Sequence, residues 1–163
     1  IRKVYFPKSI LPLSKVVVAF VELVLSLLLL VPLLVYYQVP ITVNIIGLPI
    51  VLLYNAMCAL LAVFWVAAFG YQKRDLFHLL PFLVYFGIWL TPVFFTADFL
   101  PESVAWLLQL NPMAHVVELW RWSVLASGEF VLNHLMGFGF VSVLCLLGMY
   151  FFSRQESKFT DYL

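Results

Sequence analysis

The 163-residue sequence is 65% hydrophobic and 10% charged, and its nine Lys and Arg residues nearly balance its eight Asp and Glu residues. So few charges cannot cover a water-facing surface, which excludes an ordinary soluble domain, and the near-neutral net charge gives no indication of a nucleic-acid partner. The apolar residues occur in runs longer than the ~18 residues that a bilayer crossing needs. We therefore predict an all-α membrane protein.

Four apolar stretches predict four transmembrane helices, at residues 13–37, 45–70, 76–96 and 131–152. Each is long enough, at about 1.5 Å per residue, to cross the hydrocarbon core with some tilt. The sequence opens with Ile1 rather than Met, and its first apolar stretch is too long for a signal peptide. We therefore expect an N-terminal portion of the protein to precede it.

The basic residues set the predicted orientation. They precede the first span, lie between the second and third, and follow the fourth: Arg2, Lys3, Lys8, Lys15, Lys73, Arg74, Arg154 and Lys158. The other two connections contain Arg121 as their one basic residue. The positive-inside rule then places both ends of the chain and the connection at 73–74 in the cytoplasm.

The segment 97–128 predicts two short amphipathic helices, 101–110 and 112–125, that are separated at Asn111 and Pro112. Asparagine is a good helix N-cap, and proline suits the first helical position. Trp106, Trp120 and Trp122 are typical of the headgroup layer. We predict an external hairpin, a re-entrant pair of helices that dips into the outer leaflet before the last span.

Ionisable residues within or beside the spans leave two interpretations open. Glu22 lies inside the first span, where a charge is costly, so it is expected to face a helix or a pore. Glu118 and Arg121 are three residues apart and are predicted to pair on one helix face, either as a structural ion pair or as part of an outer gate. Asp75 suits a helix N-terminus and Arg74 suits the inner headgroups, and both could instead receive a lipid phosphate.

The third span has an aromatic face formed by Phe82, Tyr85, Phe86 and Trp89. Such a face either packs against helices or lipid, or lines a channel in which sugar rings stack on it. The spacing of the three histidines, His78, His115 and His134, predicts interfacial hydrogen bonding and no metal site. Cys58 and Cys145 are interpreted as buried thiols rather than a disulfide.

Several short strings resemble one family, the ABC-2 permeases that export polysaccharides and polyol phosphates. Residues 4–14, VYFPKSILPLS, are similar to the family's cytoplasmic VYFPREILPLS stretch, with Lys8 and Ser9 in place of Arg and Glu. The RD of residues 74–75, PVFF of 92–95, LP of 100–101 and NPM of 111–113 follow the family's order. Glu118 and Arg121 match its E..R, and residues 151–163 resemble YFRRxExxFADxI, with Ser153 at a basic position.

The resemblance covers the whole chain and implies the last four spans of a six-span permease. Residues 1–163 would form one permease domain, with a coupling segment at 1–12, the external hairpin at 97–128 and a cytoplasmic tail at 153–163. The family resemblance also implies a homodimer in the bacterial inner (plasma) membrane that moves a lipid-linked glycan of the O-antigen, capsule or teichoic acid type. Asn111, Pro112, Glu118 and Arg121 would belong to its external hairpin.

The sequence contains no G-x-x-x-x-G-K-[ST] phosphate loop. We therefore expect no cofactor in this chain, with ATP and Mg²⁺ bound by a separate ABC ATP-binding subunit. By resemblance, Tyr5, Phe6, Pro7 and Lys8 rest in a cleft of that subunit; the alternative is that they only anchor the first helix at the inner interface.

Two other functions remain as alternatives. An ABC-2 permease could export a drug or another small lipophile, although the VYFP and NPM strings favour the polysaccharide branch. An integral-membrane enzyme acting on lipids or glycans would need converging acids, histidines or a metal, and the acids here are scattered along the sequence. We therefore predict a transport subunit with no catalytic residue.

Replacing Tyr5, Phe6 and Lys8 together by alanine is expected to reduce export to background, because these side chains would transmit the ATPase motion. Membrane insertion should stay normal, since no span is altered. The measurement is surface glycan per unit of permease in the membrane fraction, with Ser9→Ala as the control. Normal export by the triple variant would remove the coupling role.

Overall fold

The structure, a computed structural model, describes residues 10–70, 75–96, 99–128 and 132–159. Every regular element within these ranges is helical, which confirms the predicted all-α class. The elements are α1 Ile10–Tyr36, a short 3₁₀ helix Val43–Gly47, α2 Leu48–Gly70, α3 Asp75–Leu90, α4 Glu102–Leu110, α5 Pro112–Leu125 and α6 Leu132–Phe159.

Three of the four predicted spans are helices that are long and apolar enough to cross a membrane. They occupy Leu13–Tyr36, Val43–Gly70 and Asn133–Arg154. Because the described part of the chain holds several such helices, the protein is a multi-pass membrane protein.

The remaining predicted span, 76–96, is shorter in the structure. Its helix α3 has 16 residues, or about 24 Å of rise, and the residues from 91 to 93 form a turn. Pro92 disfavours a helical conformation at Thr91, the residue before it. The Thr91 hydroxyl also donates to the Gly87 carbonyl at 2.9 Å. The sequence prediction overlooked this stop because proline within a transmembrane stretch is often tolerated.

A left-handed residue ends α1 sharply. Gln38 has a φ of 52°, and its N–H donates to the Val35 carbonyl at 3.2 Å, while the N–H of Val39 donates to the Leu34 carbonyl at 3.0 Å. These two bonds form a Schellman motif, which satisfies carbonyls that the helix end leaves without partners. Pro40 follows and prevents the helix from continuing.

Helices α2, α5 and α6 form the core. One cluster of buried side chains joins all three helices, and a second joins the later parts of α2 and α6. The first contains Val51, Tyr54, Cys58, Val116, Leu119 and Val141; the second contains Phe64, Ala68, Cys145 and Phe152. Both cysteines are free thiols within these clusters, as predicted.

Two glycines of α6 allow the helices to approach closely. A Cβ at Gly148 would lie 2.8 Å from ring atoms of Trp65, whose indole N–H donates to the Leu144 carbonyl at 3.0 Å. A Cβ at Gly137 would lie 2.9 Å from the Tyr54 hydroxyl. Small residues at helix contacts are typical of membrane proteins, where helix association depends on close packing.

Helices α1 and α3 lie at the edge of this core. The apolar stretch of α1 has no buried residue in the described structure, although the helix packs along α2. Helix α3 contacts α2 where the Phe77 ring covers Gly70. Their exposed apolar faces require lipid or another protein surface.

Candidate functional site

The two short helices of the predicted hairpin lie close to the bounds expected from the sequence: α5 has the predicted bounds, and α4 begins one residue later than predicted. The external location of the hairpin stays a prediction. Helix α4 ends at Leu110 and α5 begins at Pro112, with Asn111 between them. The Asn111 side-chain oxygen accepts from the Met113 N–H at 3.0 Å, so it caps α5 as predicted. That cap satisfies one of the N–H groups that a helix start leaves unpaired.

The same Asn111 side chain ties the hairpin to the end of α3. Its amide nitrogen donates to the Leu90 carbonyl at 3.2 Å and to the Thr91 hydroxyl oxygen at 3.2 Å. One residue therefore starts α5 with its oxygen and holds the last turn of α3 with its nitrogen.

Arg121 reinforces this connection almost three turns further along α5. Its guanidinium donates from Nη1 to the Phe95 carbonyl at 3.0 Å and from Nη2 to the Val93 carbonyl at 2.9 Å. Both carbonyls belong to the segment that follows α3. These two hydrogen bonds give Arg121 a structural role. The ion pair of Arg121 with Glu118 stays a prediction.

The 3₁₀ helix that precedes α2 holds the other end of α5. The Asn44 amide donates to the Trp122 carbonyl at 3.2 Å. The Trp122 ring lies against Gly47, where a Cβ would overlap it. A glycine at the end of the 3₁₀ helix thus makes room for an indole of the hairpin.

A buried polar group connects α5 to α6. His115 and His134 are 5% and 6% exposed, and their Nδ1 atoms are 3.1 Å apart. His115 Nε2 lies 2.9 Å from the Gln109 carbonyl, and His134 Nε2 lies 3.9 Å from a Glu118 carboxylate oxygen. Both histidines make hydrogen bonds, but within the protein interior rather than at an interface. The prediction from their spacing that they form no metal-type cluster is wrong, because packing brings them together with Glu118.

The sequence spacing did not reveal that Glu118 belongs to this group. His115 and Glu118 are three residues apart and share a face of α5, which was the one available signal. His134 comes from α6, and only the packing of α6 on α5 brings it to them.

The aromatic face of α3 is open in this chain. Phe82, Tyr85, Phe86 and Trp89 are between 64% and 73% exposed. Packing within the described part of the chain therefore does not account for these side chains. These side chains therefore face lipid, a second subunit or a channel. That they line a channel stays a prediction.

The other predicted site residues are separate from the hairpin. Glu22 is exposed on α1, and its carbonyl accepts from the Ser26 hydroxyl at 2.9 Å. Asp75 is exposed in the first turn of α3, as its predicted place at a helix N-terminus requires. Arg74 and the coupling residues 5–8 lie outside the described residues, so their roles stay predictions.

Comparison with known proteins gives matches over the entire chain. Two proteins from Klebsiella pneumoniae, each named O-antigen export system permease protein RfbA, are 22% identical to it over 171 aligned positions. The alignments cover 100% of this chain and 63% of each relative. No family profile matches the chain, and no solved structure matches it.

These relatives confirm the resemblance to polysaccharide-export permeases that the sequence strings indicated. The chain spans somewhat less than two thirds of the length of the relatives that it matches.

The two functions of Asn111 can be separated by substitution. Asn111→Asp keeps the capping oxygen but replaces the amide donor, whereas Asn111→Ala removes both. We expect Asn111→Ala to lose about 1 kcal/mol from the cap and about 1 kcal/mol more from the tie to α3. Asn111→Asp should lose only the second contribution.

Hydrogen–deuterium exchange of the detergent-solubilised protein measures both effects. In Asn111→Asp, the first turn of α5 should stay protected while peptides covering 91–96 exchange faster. In Asn111→Ala, both regions should exchange faster. Unchanged exchange at 91–96 in Asn111→Asp would show that the amide does not hold α3.

Proposed function

We propose that this chain is part of the membrane-spanning subunit of an ATP-driven ABC exporter that moves a lipid-linked polysaccharide. The observation that carries the proposal is the similarity over the complete chain to two permeases named for O-antigen export. The names describe transport subunits rather than enzymes, and they favour a polysaccharide cargo over a drug or small lipophile.

The proposed subunit arrangement follows from the class of ABC exporter. Two permease subunits lie in the bacterial inner membrane, and separate ATP-binding subunits bind ATP and Mg²⁺ on the cytoplasmic side. The distribution of Lys and Arg supports cytoplasmic ends for this chain. The hairpin of α4 and α5 then lies at the outer mouth.

The contacts of α5 support a function for the hairpin as a firm outer closure. Arg121 ties it to the segment after α3, Asn44 ties it to the 3₁₀ helix before α2, and His134 ties it to α6. A loop held at three places does not fluctuate independently, so opening requires the connected helices to move with it. We infer that ATP-driven motion of the spans reaches the outer mouth through these ties.

The open aromatic face of α3 supports a surface for sugar rings. Aromatic planes interact with a sliding glycan without fixing it through many directional hydrogen bonds. Because a polymer must move on repeatedly, weak contacts of similar strength suit it better than one tight site. We propose that Phe82, Tyr85, Phe86 and Trp89 line the export path.

Purification of the full-length protein in mild detergent tests the proposed class. We expect an ATPase subunit with a phosphate-binding loop to copurify in stoichiometric amount, identified by mass spectrometry. A folded, dimeric preparation that carries no such subunit would contradict the exporter and favour a membrane enzyme. A mock purification from cells that lack the tagged protein identifies proteins that copurify nonspecifically.

A pair of double variants on α3 tests the export path. We expect Phe86→Ala with Trp89→Ala to lower glycan export several-fold without changing thermal stability, because these side chains are largely exposed in the chain. The matched control, Val84→Ala with Ile88→Ala, alters exposed residues on the opposite face of the helix.

The readouts are export rate, unfolding midpoint and dimer content by size-exclusion chromatography. Equal export loss in both double variants would contradict a specific path along the aromatic face. Loss of dimer in the aromatic variant alone would assign the face to the subunit interface instead.

A further inference from the structure

We propose that His115, Glu118 and His134 bind a zinc ion that links the external hairpin to the last span. One ligand atom from each of the three residues lies within 4.8 Å of the other two. Two ligands come from α5 and one from α6, so a bound ion would cross-link the two helices. This inference does not depend on the proposed transport function.

The hydrogen bond to Gln109 prepares His115 as a ligand. The Gln109 carbonyl can only accept, so the His115 Nε2 at 2.9 Å must carry the proton. In the neutral ring, Nδ1 then holds a lone pair. Metal-binding histidines typically donate their second ring N–H to a carbonyl or carboxylate in this way, which fixes the ring orientation.

The lone pair of His115 is directed at the other histidine. Its Nδ1 lies 3.1 Å from the Nδ1 of His134, so a proton or a metal ion must lie between the two nitrogens. Zinc bonds histidine nitrogen at about 2.0–2.1 Å, and tetrahedral ligands are then about 3.3 Å apart. The observed separation of the two Nδ1 atoms is therefore close to that of two nitrogen ligands of one zinc ion.

Glu118 supplies the third ligand and charge compensation. Its carboxylate oxygen lies 3.9 Å from His134 Nε2, whereas the ion would lie at the Nδ1 of that ring. The Glu118 side chain is 33% exposed, so it has room for the rotation that would bring the carboxylate to the ion. Burial of the two histidines at 5% and 6% exposure gives the ion a mostly dry site, in which one negative charge reduces the cost of a dication. Three protein ligands would leave a fourth tetrahedral position, which water occupies in zinc sites of this kind.

The ligand types select the metal. Two imidazole nitrogens and one carboxylate, with an open fourth position, are a zinc ligand set. Mg²⁺ and Ca²⁺ prefer oxygen ligands and are disfavoured here. Among the described residues, the Tyr54 hydroxyl is buried without a hydrogen-bond partner; it flanks Gly137 together with the His115 ring, which adds a polar group beside the site.

The test uses the full-length protein, purified through a histidine-free tag, treated with a chelator and then titrated with Co²⁺. Co²⁺ reports tetrahedral coordination by visible absorption, and added Zn²⁺ should displace it. We expect one ion per chain and a higher unfolding midpoint with Zn²⁺. His115→Ala and His134→Ala should lose both the absorption and the shift, whereas His78→Ala on α3 should keep both.

Glu118→Gln keeps the size of the side chain and provides a variant that folds if the histidine variants do not. We expect it to weaken Co²⁺ binding by at least about tenfold, the effect typical of groups at a metal site. Absence of the Co²⁺ absorption in the folded wild-type protein would show that the histidines share only a proton and would overturn the proposal. Unchanged binding in Glu118→Gln and in both folded histidine variants would also overturn it.

Discussion

The polar backbone at the end of α3 imposes the constraint on which the arrangement of the hairpin depends. Carbonyls that follow the last helical turn have no partner within the helix and need donors from elsewhere in the protein or from water. Asn111 donates to the Leu90 carbonyl, and Arg121 donates to those of Val93 and Phe95. Because both donors are on or beside α5, a short α3 requires the hairpin close to it.

This requirement determines which neighbouring element each face of α5 contacts. One part of the helix holds Arg121 toward the segment after α3, while His115 and Glu118 approach α6. Its buried residues, among them Val116 and Leu119, pack on α2 and α6. Helix α5 is therefore short but central, since it contacts every neighbouring element through a different set of side chains.

Local signals in the sequence predicted much of this fold. Runs of apolar residues located α1, α2 and α6, and Asn111 with Pro112 located the break in the hairpin, because capping and proline geometry depend on adjacent residues. The end of α3 was missed because a proline can either kink or stop a transmembrane helix. Which outcome holds depends on the distant donors Asn111 and Arg121.

The candidate site was predictable only in part, for the same reason. The aromatic face of α3 follows from helical periodicity alone. The group of His115, Glu118 and His134 depends on the packing of α6 against α5, and no local pattern encodes that contact. The roles assigned by family resemblance at residues 5–8 and 74 lie outside the described residues and stay predictions.

The two ends of the core are held by different forces, and this difference bears on how the protein could move. Away from the hairpin, α2 and α6 join through Phe64, Ala68, Cys145 and Phe152, and Gly148 receives the Trp65 ring. Lipid tails are as apolar as these side chains, so this contact rests on close packing rather than on exclusion of water.

At the hairpin end, buried polar groups replace part of that packing. Polar contacts of this kind have a few discrete arrangements, because each donor needs a particular acceptor and an unsatisfied buried group costs about 1–3 kcal/mol. A change at the hairpin is thus expected to be a switch between defined sets of hydrogen bonds, while the dry contact of α2 with α6 stays intact. Helices α1 and α3 both have exposed apolar faces, but the end of α3 is fixed by Asn111 and Arg121. Helix α1, which packs along α2, is therefore the span that lipid or a second subunit can more readily reposition.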